Sequence, residues 1–339
     1  MTIDGYTQPG AKENTGQVGT DARLLVELSR GNSGTIGLRI DADDVVVRGL
    51  VINCYPESHI EITGGTGIGI EGSFLGTDPS GTLDLEGDDD GGGVNVNEGV
   101  GNVMGGTSLA ARNLISGNDR AGIVLFGSSL DDRVKNNRIE GNLIGTKRNG
   151  TSPLGKSAGI GIFRSSGNTV GGTAPGATNT IAFSGSEGVS VFEEESTSNR
   201  ILGNSIHSNE RLGIDLAGGT EKAAGATGND PGDADIGPDN LQSKAAVTSA
   251  TNTGGTIAVR GNLNSTPEKT FLLQFFSNPG GNDGKTFVAQ RSVTTNANGN
   301  APFAFSFAKV IPAGHRVSAT ATGAGNTSEF SAPRVVVTR

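Results

Sequence analysis

The chain has 339 residues, a formal charge of −9, 56 Gly, no Trp and only 4% aromatic residues. The acidic balance disfavours non-specific nucleic-acid binding and docking on anionic lipid, and leaves cations or neutral ligands as partners. The composition excludes a core built on large aromatic side chains and favours short strands joined by tight turns, in a chain long enough for about two domains.

Residues 1–34, with "MTIDGYTQPG" and "DARLLVELSR", read as an irregular first coil and cap, which a stacked array needs at its open end. Residues 1–10 lack the charged-then-apolar pattern of a signal segment, and no stretch reaches the ~18 apolar residues of a membrane span. Cys54 is the single cysteine, so no intramolecular disulfide forms; within "LVINCY" it reads as a small buried packing group.

Further along, the chain repeats itself. "NVMGGT" from Asn102 returns as "NTVGGT" from Asn168, "NLISG" from Asn113 as "NTIAFSG" from Asn179, and "GIVLF" from Gly122 as "GVSVF" from Gly188, each 66 residues on. Inside this period, runs such as "GIGIEG", "GVNVNEG" and "GIGIFRS" alternate small or polar residues with Ile, Val or Phe, a strand pattern too short for helices. A unit of roughly 20 residues built of such beats cannot bury its apolar face alone, but stacked on copies of itself it makes a continuous core. The pattern predicts a parallel β-solenoid. Gly and Asn at the turns supply positive φ, and stacked Asn side chains can bond along the axis. Asn102, Asn113, Asn137, Asn142, Asn168, Asn179, Asn199 and Asn204 are therefore read as structural.

Over residues 35–216, "GNLIGT", "NTVGGT", "NLISGN" and "GIVLFG" resemble the coils of right-handed parallel β-helix proteins of the bacterial secreted or surface-attached kind. The resemblance implies an all-β fold, an extracellular or cell-surface location and polysaccharide as partner. The fold class hosts pectate and alginate lyases, polygalacturonases, epimerases, phage tailspikes and passive adhesins, so it does not by itself choose between binding and catalysis.

The beat stops after "LGIDL", Leu212–Leu216. The expected organisation is a β-helix with its N-terminal cap over 1–216, an acidic Gly/Asp-rich linker over 217–241 and an antiparallel β-sandwich over 242–339. Phe271, Phe275, Phe276, Phe287, Phe303, Phe305 and Phe307 fall in the alternating runs of the last part and read as its core.

Three places carry candidate chemistry. The linker "NDPGDADIGPDN" offers Asp230, Asp233, Asp235 and Asp239 as oxygen ligands for calcium, the one cofactor anticipated. A second acidic run holds Asp84, Glu86, Asp88, Asp89 and Asp90, and reads as a solvated loop. The strands ending in Phe126, Phe163 and Phe192 should stack on neighbouring rungs, which would bring the turns holding Asp131, Asp132, Arg164, Glu193, Glu194 and Glu195 onto one edge. With rungs ~4.8 Å apart, carboxylates one rung apart lie at ~5 Å and two rungs apart at ~10 Å, similar to the separations of retaining and inverting glycosidases. Arg164 could pair with its acidic neighbours or hold a sugar carboxylate. Against catalysis, the G-H-G and R-I-K signatures of polygalacturonase-like enzymes are missing, and His207, the one histidine within the repeats after His59, reads as a surface turn residue. The balance favours binding or display of a polysaccharide-contacting face; the alternative is a polysaccharide lyase or glycoside hydrolase using the acidic edge.

Overall fold

The computed structural model describes residues 1–31, 34–85, 91–128, 133–218, 225–281 and 283–339. From Ile36 the chain runs through three short strands, Ile36–Asp41, Val46–Arg48 and Leu50–Asn53, and then repeats the path one level up as Ser58–Gly64, Gly69–Glu71 and Phe74–Leu75. Each strand pairs in parallel with its successor: Ile40 lies beside Ile62, one residue before a shift in register, Val47 opposite Ile70 and Ile52 opposite Leu75. Continued to Ala217, this winding gives three parallel sheets of seven strands among the described residues: the first holds Val46–Arg48, the second Leu50–Asn53 and the third Ile36–Asp41. It is a right-handed parallel β-helix. The 66-residue offset spans two coils, because Asn102 bonds Asn137, 35 residues on, and Asn137 bonds Asn168 after another 31. A coil is thus longer than the roughly 20 residues read from the beats, since each coil holds three strands and their turns.

The alternation in each strand decides what faces inward. In the first sheet Val47, Ile70, Met104, Ile139, Val170 and Ile201 form one stack, all buried. In the third sheet two inward columns run side by side, one from Ile60 through Val94, Ile123, Ile160 and Val189 to Ile214, the other from Ile62 through Val96, Leu125, Ile162 and Val191 to Leu216. Each such side chain contributes about 1.5–3 kcal/mol on burial, which offsets the entropy of ordering so many short strands and turns.

Polar side chains hold the rungs together at the corners. The backbone N–H of Asn102 donates to the Asn137 side-chain oxygen, Asn137 to Asn168 and Asn168 to Asn199, at 2.9–3.1 Å. A second file links Asn113 and Asn142 through their side chains, then runs from the Asn142 N–H to Asn179 and from the Asn179 N–H to Asn204. The eight Asn read as structural are these two ladders. They do not supply the positive φ; that falls mostly to the residue just before, such as Gly167 at 69° and Gly203 at 64°. Cys54 also takes positive φ, at 63°, and lies half-buried in the turn after Leu50–Asn53, not within the strand.

The first strand, Thr2–Asp4, joins the first sheet as the expected initial coil. The segment after it runs along the flank of the helix. Arg112 donates to the carbonyls of Gly16, Gln17 and Gly19, and Arg148 to those of Thr20 and Ala22.

After residue 241 the strands lengthen into a mixed, mainly antiparallel sheet system. Ala246–Thr253, Thr256–Asn264 and Asn300–Phe307 make one antiparallel set, and Thr270–Asn278, Thr286–Thr294 and Arg316–Gly323 the other. Arg334–Thr338 joins them, parallel to the first set and antiparallel to the second, which gives a sandwich of near-barrel form. Phe271, Phe275, Phe303 and Phe307 fill its core as expected, whereas Phe287 is 36% exposed.

This sandwich sits on the last coil and supplies what the next coil would have supplied. Ile206 and Gly284 form an antiparallel bridge, the Ile201 N–H donates to Thr327 Oγ1, and the Gly203 N–H donates to Gln274 Oε1. Asp239 takes the next place in the first Asn file: its Oδ1 accepts from the Asn199 N–H at 2.8 Å and its Oδ2 from the Thr327 N–H at 3.1 Å. Asp239, Asn240 and Leu241 all have φ of 45–51°, a local cost of about 1–2 kcal/mol per residue that the surrounding bonds must offset. Asp239→Ala is expected to leave two buried N–H groups without acceptors and to lower unfolding stability by about 2–5 kcal/mol, measurable by urea titration; a loss below ~1 kcal/mol would mean that water replaces the carboxylate.

Candidate functional site

The outer face of the third sheet presents the candidate edge. Phe126 pairs with Phe163 and Phe163 with Phe192, on consecutive rungs. Because the residue just before each ring, Leu125, Ile162 or Val191, points into the core, these rings point out. Phe163 and Phe192 stack with centroids 4.5 Å apart and planes 6° from parallel, while Phe126 is tilted 48° at 6.1 Å and 43% exposed. Gly161 gives the Phe163 ring room: a Cβ there would stand 2.8 Å from a ring carbon.

The turns after these strands stack as well. Arg164 and Glu193 each adopt positive φ directly after Phe163 and Phe192, and Arg164 pairs with Glu193 at 3.1 Å. Glu194 and Glu195 are exposed on the same turn. Asp131 and Asp132 lie outside the described residues, as do Glu86, Asp88, Asp89 and Asp90. Further along the edge Arg133 reaches both oxygens of Glu98 at 3.2 Å. The described part of the edge is therefore a row of largely exposed charges, with Arg164 paired to Glu193 and Arg133 to Glu98, beside an aromatic row. Exposed carboxylates of this kind suit contact with a polar ligand more than general-acid catalysis, which needs a desolvated group.

In the linker, carboxylate oxygens of Asp230, Asp233 and Asp235 lie within 4.8 Å of one another. Asp233 accepts from the Ser243 N–H at 2.7 Å and Ser265 Oγ at 2.6 Å, and Asp230 Oδ2 from the Ala234 N–H at 2.9 Å. Burial raises the Asp233 pKa, against those hydrogen bonds. The set supplies three of the 6–8 oxygens calcium takes. Asp239 stands apart from this group, with both oxygens engaged by backbone N–H groups as the ladder's last member; burial pushes its pKa well above the ordinary carboxylate value.

His207, expected in a surface turn, ends the strand Ser205–His207 and is 6% exposed, edge-on to Phe183. Burial, with Lys285 nearby, lowers its pKa to about 4, so it is neutral at physiological pH.

A third place was not singled out in the sequence. Where the last coil meets the sandwich there is a cleft of about 590 Å³ lined by Glu187, Glu210, Arg211, Asp215 and Asp283 among others. Asp215 occupies the outward position between Ile214 and Leu216 on the last strand of the third sheet and is 6% exposed. Burial, then the Glu329 and Glu187 carboxylates, push its pKa up to about 6, against Arg211. Burial also pushes Asp283 up to about 6, against its bond from the Gly213 N–H at 3.0 Å. The only sequence signal was an acidic residue at the outward beat of "LGIDL", the run that ends the repeat.

No protein-family model matches the chain, and no curated protein does. Three solved structures follow a similar chain path. A periplasmic alginate epimerase is 15% identical, with a TM-score of 0.37 over 66% of this chain and 48% of its own. The full-length tailspike protein 2 of Escherichia coli O157:H7 bacteriophage CAB120 is 9% identical, with a TM-score of 0.26 over 89% and 46%. A protein of Geobacillus virus E2 is 13% identical, with a TM-score of 0.25 over 84% and 65%. The chain spans less than two thirds of the length of each. The likeness concerns the winding of the backbone, and no site residue is carried over from it.

The raised pKa of Asp215 has a stability consequence with a definite sign. In the window from the usual ~3.9 up to about 6 the unfolded chain has ionised this group while the folded protein keeps it protonated, so stability falls as pH rises through that window. Asp215→Asn is therefore expected to stabilise the protein by roughly 2–3 kcal/mol at pH 7.5 and by nothing measurable at pH 3.5. Denaturant unfolding at the two pH values checks this; a variant less stable than the parent at pH 7.5 contradicts it.

Proposed function

We propose that the protein binds polysaccharide along the outer face of the third sheet and works extracellularly or at the cell surface as a binding or structural β-helix. The observation behind this reading is the outward row Phe126–Phe163–Phe192, lying on consecutive rungs beside the charged row of Arg164 and Glu193–Glu195. An aromatic row with Phe126 exposed and Phe163 and Phe192 half-buried, on regularly spaced rungs, gives a polymer apolar contact, and the adjacent charges give hydrogen bonds to its hydroxyl or carboxylate groups. In this role the ion pairs need no perturbed acid, which fits the exposure of the carboxylates.

Titration against a panel of neutral and uronate polysaccharides by affinity electrophoresis tests the reading. Phe126→Ala is expected to weaken retardation by about tenfold in affinity, equivalent to 1.4 kcal/mol, with an unchanged circular dichroism spectrum. Retardation unaffected by Phe126→Ala and by Arg164→Ala together overturns the site. New reducing ends or unsaturated products that disappear in Glu193→Gln would replace binding with the lyase or hydrolase reading.

On the same reading calcium occupies Asp230, Asp233 and Asp235 and stiffens the segment between the coils and the sandwich. A ligand that binds only the folded state raises the melting temperature with its concentration. Added calcium is expected to raise it by a few degrees and Asp230→Asn to abolish the rise; equal melting with calcium and with chelator removes the ion from the account.

A further inference from the structure

Of the carboxylates at the junction between the last coil and the sandwich, three have an evident structural task. Asp239 accepts from the Asn199 N–H, Asp283 from the Gly213 N–H and Glu329 from the Leu216 N–H, so each ends a file of backbone donors left open by the last coil. Glu329 is also paired with Lys244 at 3.0 Å. Asp215 does none of this. It is 6% exposed, no donor among the described residues reaches its carboxylate, and it lines the cleft. A buried carboxylate left without a partner costs stability, and a fold that needed only packing here would place an apolar residue at this position.

The chemistry of the cleft narrows what could meet this group. Among the described residues that line the cleft, Glu187, Glu210, Asp215 and Asp283 face one guanidinium, Arg211, which is itself paired with Glu187 at 3.4 Å. Glu329 and its partner Lys244 stand behind Asp215. An anionic sugar would meet net repulsion. A bare divalent ion is also a poor fit: among the described residues the one group of three acidic or histidine ligands close enough to share an ion is in the linker, not here. A volume of about 590 Å³ takes a ligand larger than one ion and falls in the usual range for small-molecule sites. A neutral hydroxyl could donate to Asp215 but would leave its charge uncompensated; an ammonium brings three donors and the opposing charge.

We propose that this cleft is a second binding site, specific for a ligand bearing a free amine and, resting on the polysaccharide reading above, for an amino sugar, with Asp215 as the group that receives the ammonium and Glu210, Glu187 and Asp283 as the surrounding acidic wall. It is separate from the Phe126 row, and either site can fail alone, because its probe is a short soluble oligomer and not a long polymer.

Isothermal titration of the full chain at pH 6.5 with a glucosamine trimer, its fully N-acetylated counterpart, a galacturonate trimer and tri-lysine tests the assignment. The glucosamine trimer is expected to bind at least about tenfold more tightly than the N-acetylated one, and the galacturonate not at all. Asp215→Asn is expected to lose that preference while melting no lower than the parent, and Glu210→Gln, on the exposed rim, to weaken binding by a smaller factor. Binding should also fall at pH 4.5, where Asp215 and Asp283 are protonated. Equal binding of the amine and N-acetyl trimers, or full binding by Asp215→Asn, overturns the site. Tri-lysine binding as tightly as the glucosamine trimer overturns the saccharide assignment in favour of a basic peptide.

Discussion

The vertical contacts between rungs fix where every functional side chain stands. Asn137, Asn168 and Asn199 in one file, and Asn179 and Asn204 in the other, each accept the N–H of the Asn one coil before, so a shift of one residue in an inner coil would break buried bonds to both neighbouring coils. Buried amides left unmade cost about 1–3 kcal/mol each, which is large against the few kcal/mol of net stability of a domain. Register, once set this way, also sets which residues face out. The alignment of Phe126, Phe163 and Phe192, and of Arg164 with Glu193, follows from the ladder and not from any contact the surface residues make themselves.

Much of this was legible in the sequence because a solenoid writes its third dimension as a period. Equal offsets between Asn102 and Asn168, Asn113 and Asn179, and Gly122 and Gly188 gave the stacking, and the alternation in "GIVLF" and "GVSVF" gave the inward columns. The coil length was not legible, since similar phrases recur every second coil and the intervening coil, through Asn137, breaks the spacing by a few residues. What lies across the junction was also hidden. Asp239 is one Asp among several in an acidic stretch, and nothing local distinguishes a residue that ends an Asn file from one that faces solvent. His207 shows the same limit: a histidine in a turn-like phrase is buried by the sandwich above it, around Gly284 and Lys285, far along in the chain.

The ends of a solenoid explain why polar chemistry gathers at the junction. Inside the stack each coil satisfies the one before it, but the last coil faces a sheet of different spacing and direction, so its donors cannot be met by a matching row of carbonyls. Single acceptors meet them one at a time: a carboxylate for Asn199, another for Gly213, a third for Leu216, an amide for Gly203 and a hydroxyl for Ile201. A cap of this kind concentrates acids in a partly desolvated space, where burial and the Glu329 and Glu187 carboxylates raise the pKa of Asp215.

That crowding sharpens the question posed by Asp215. In a cap already rich in negative charge, one more carboxylate with no backbone donor to accept from works against the fold, and the penalty grows with pH as the group ionises. Functional positions are where proteins tolerate such local conflict, because the group's partner arrives only with the ligand. Asp215 differs from Glu329 and Asp283 although all three are acidic: removing either of the others leaves a backbone donor of the last coil unmet, whereas among the described residues no backbone donor depends on Asp215. A substitution that helps the fold and harms binding therefore belongs to Asp215 and not to Asp239, Asp283 or Glu329, and that opposition of effects is what separates a site from a cap.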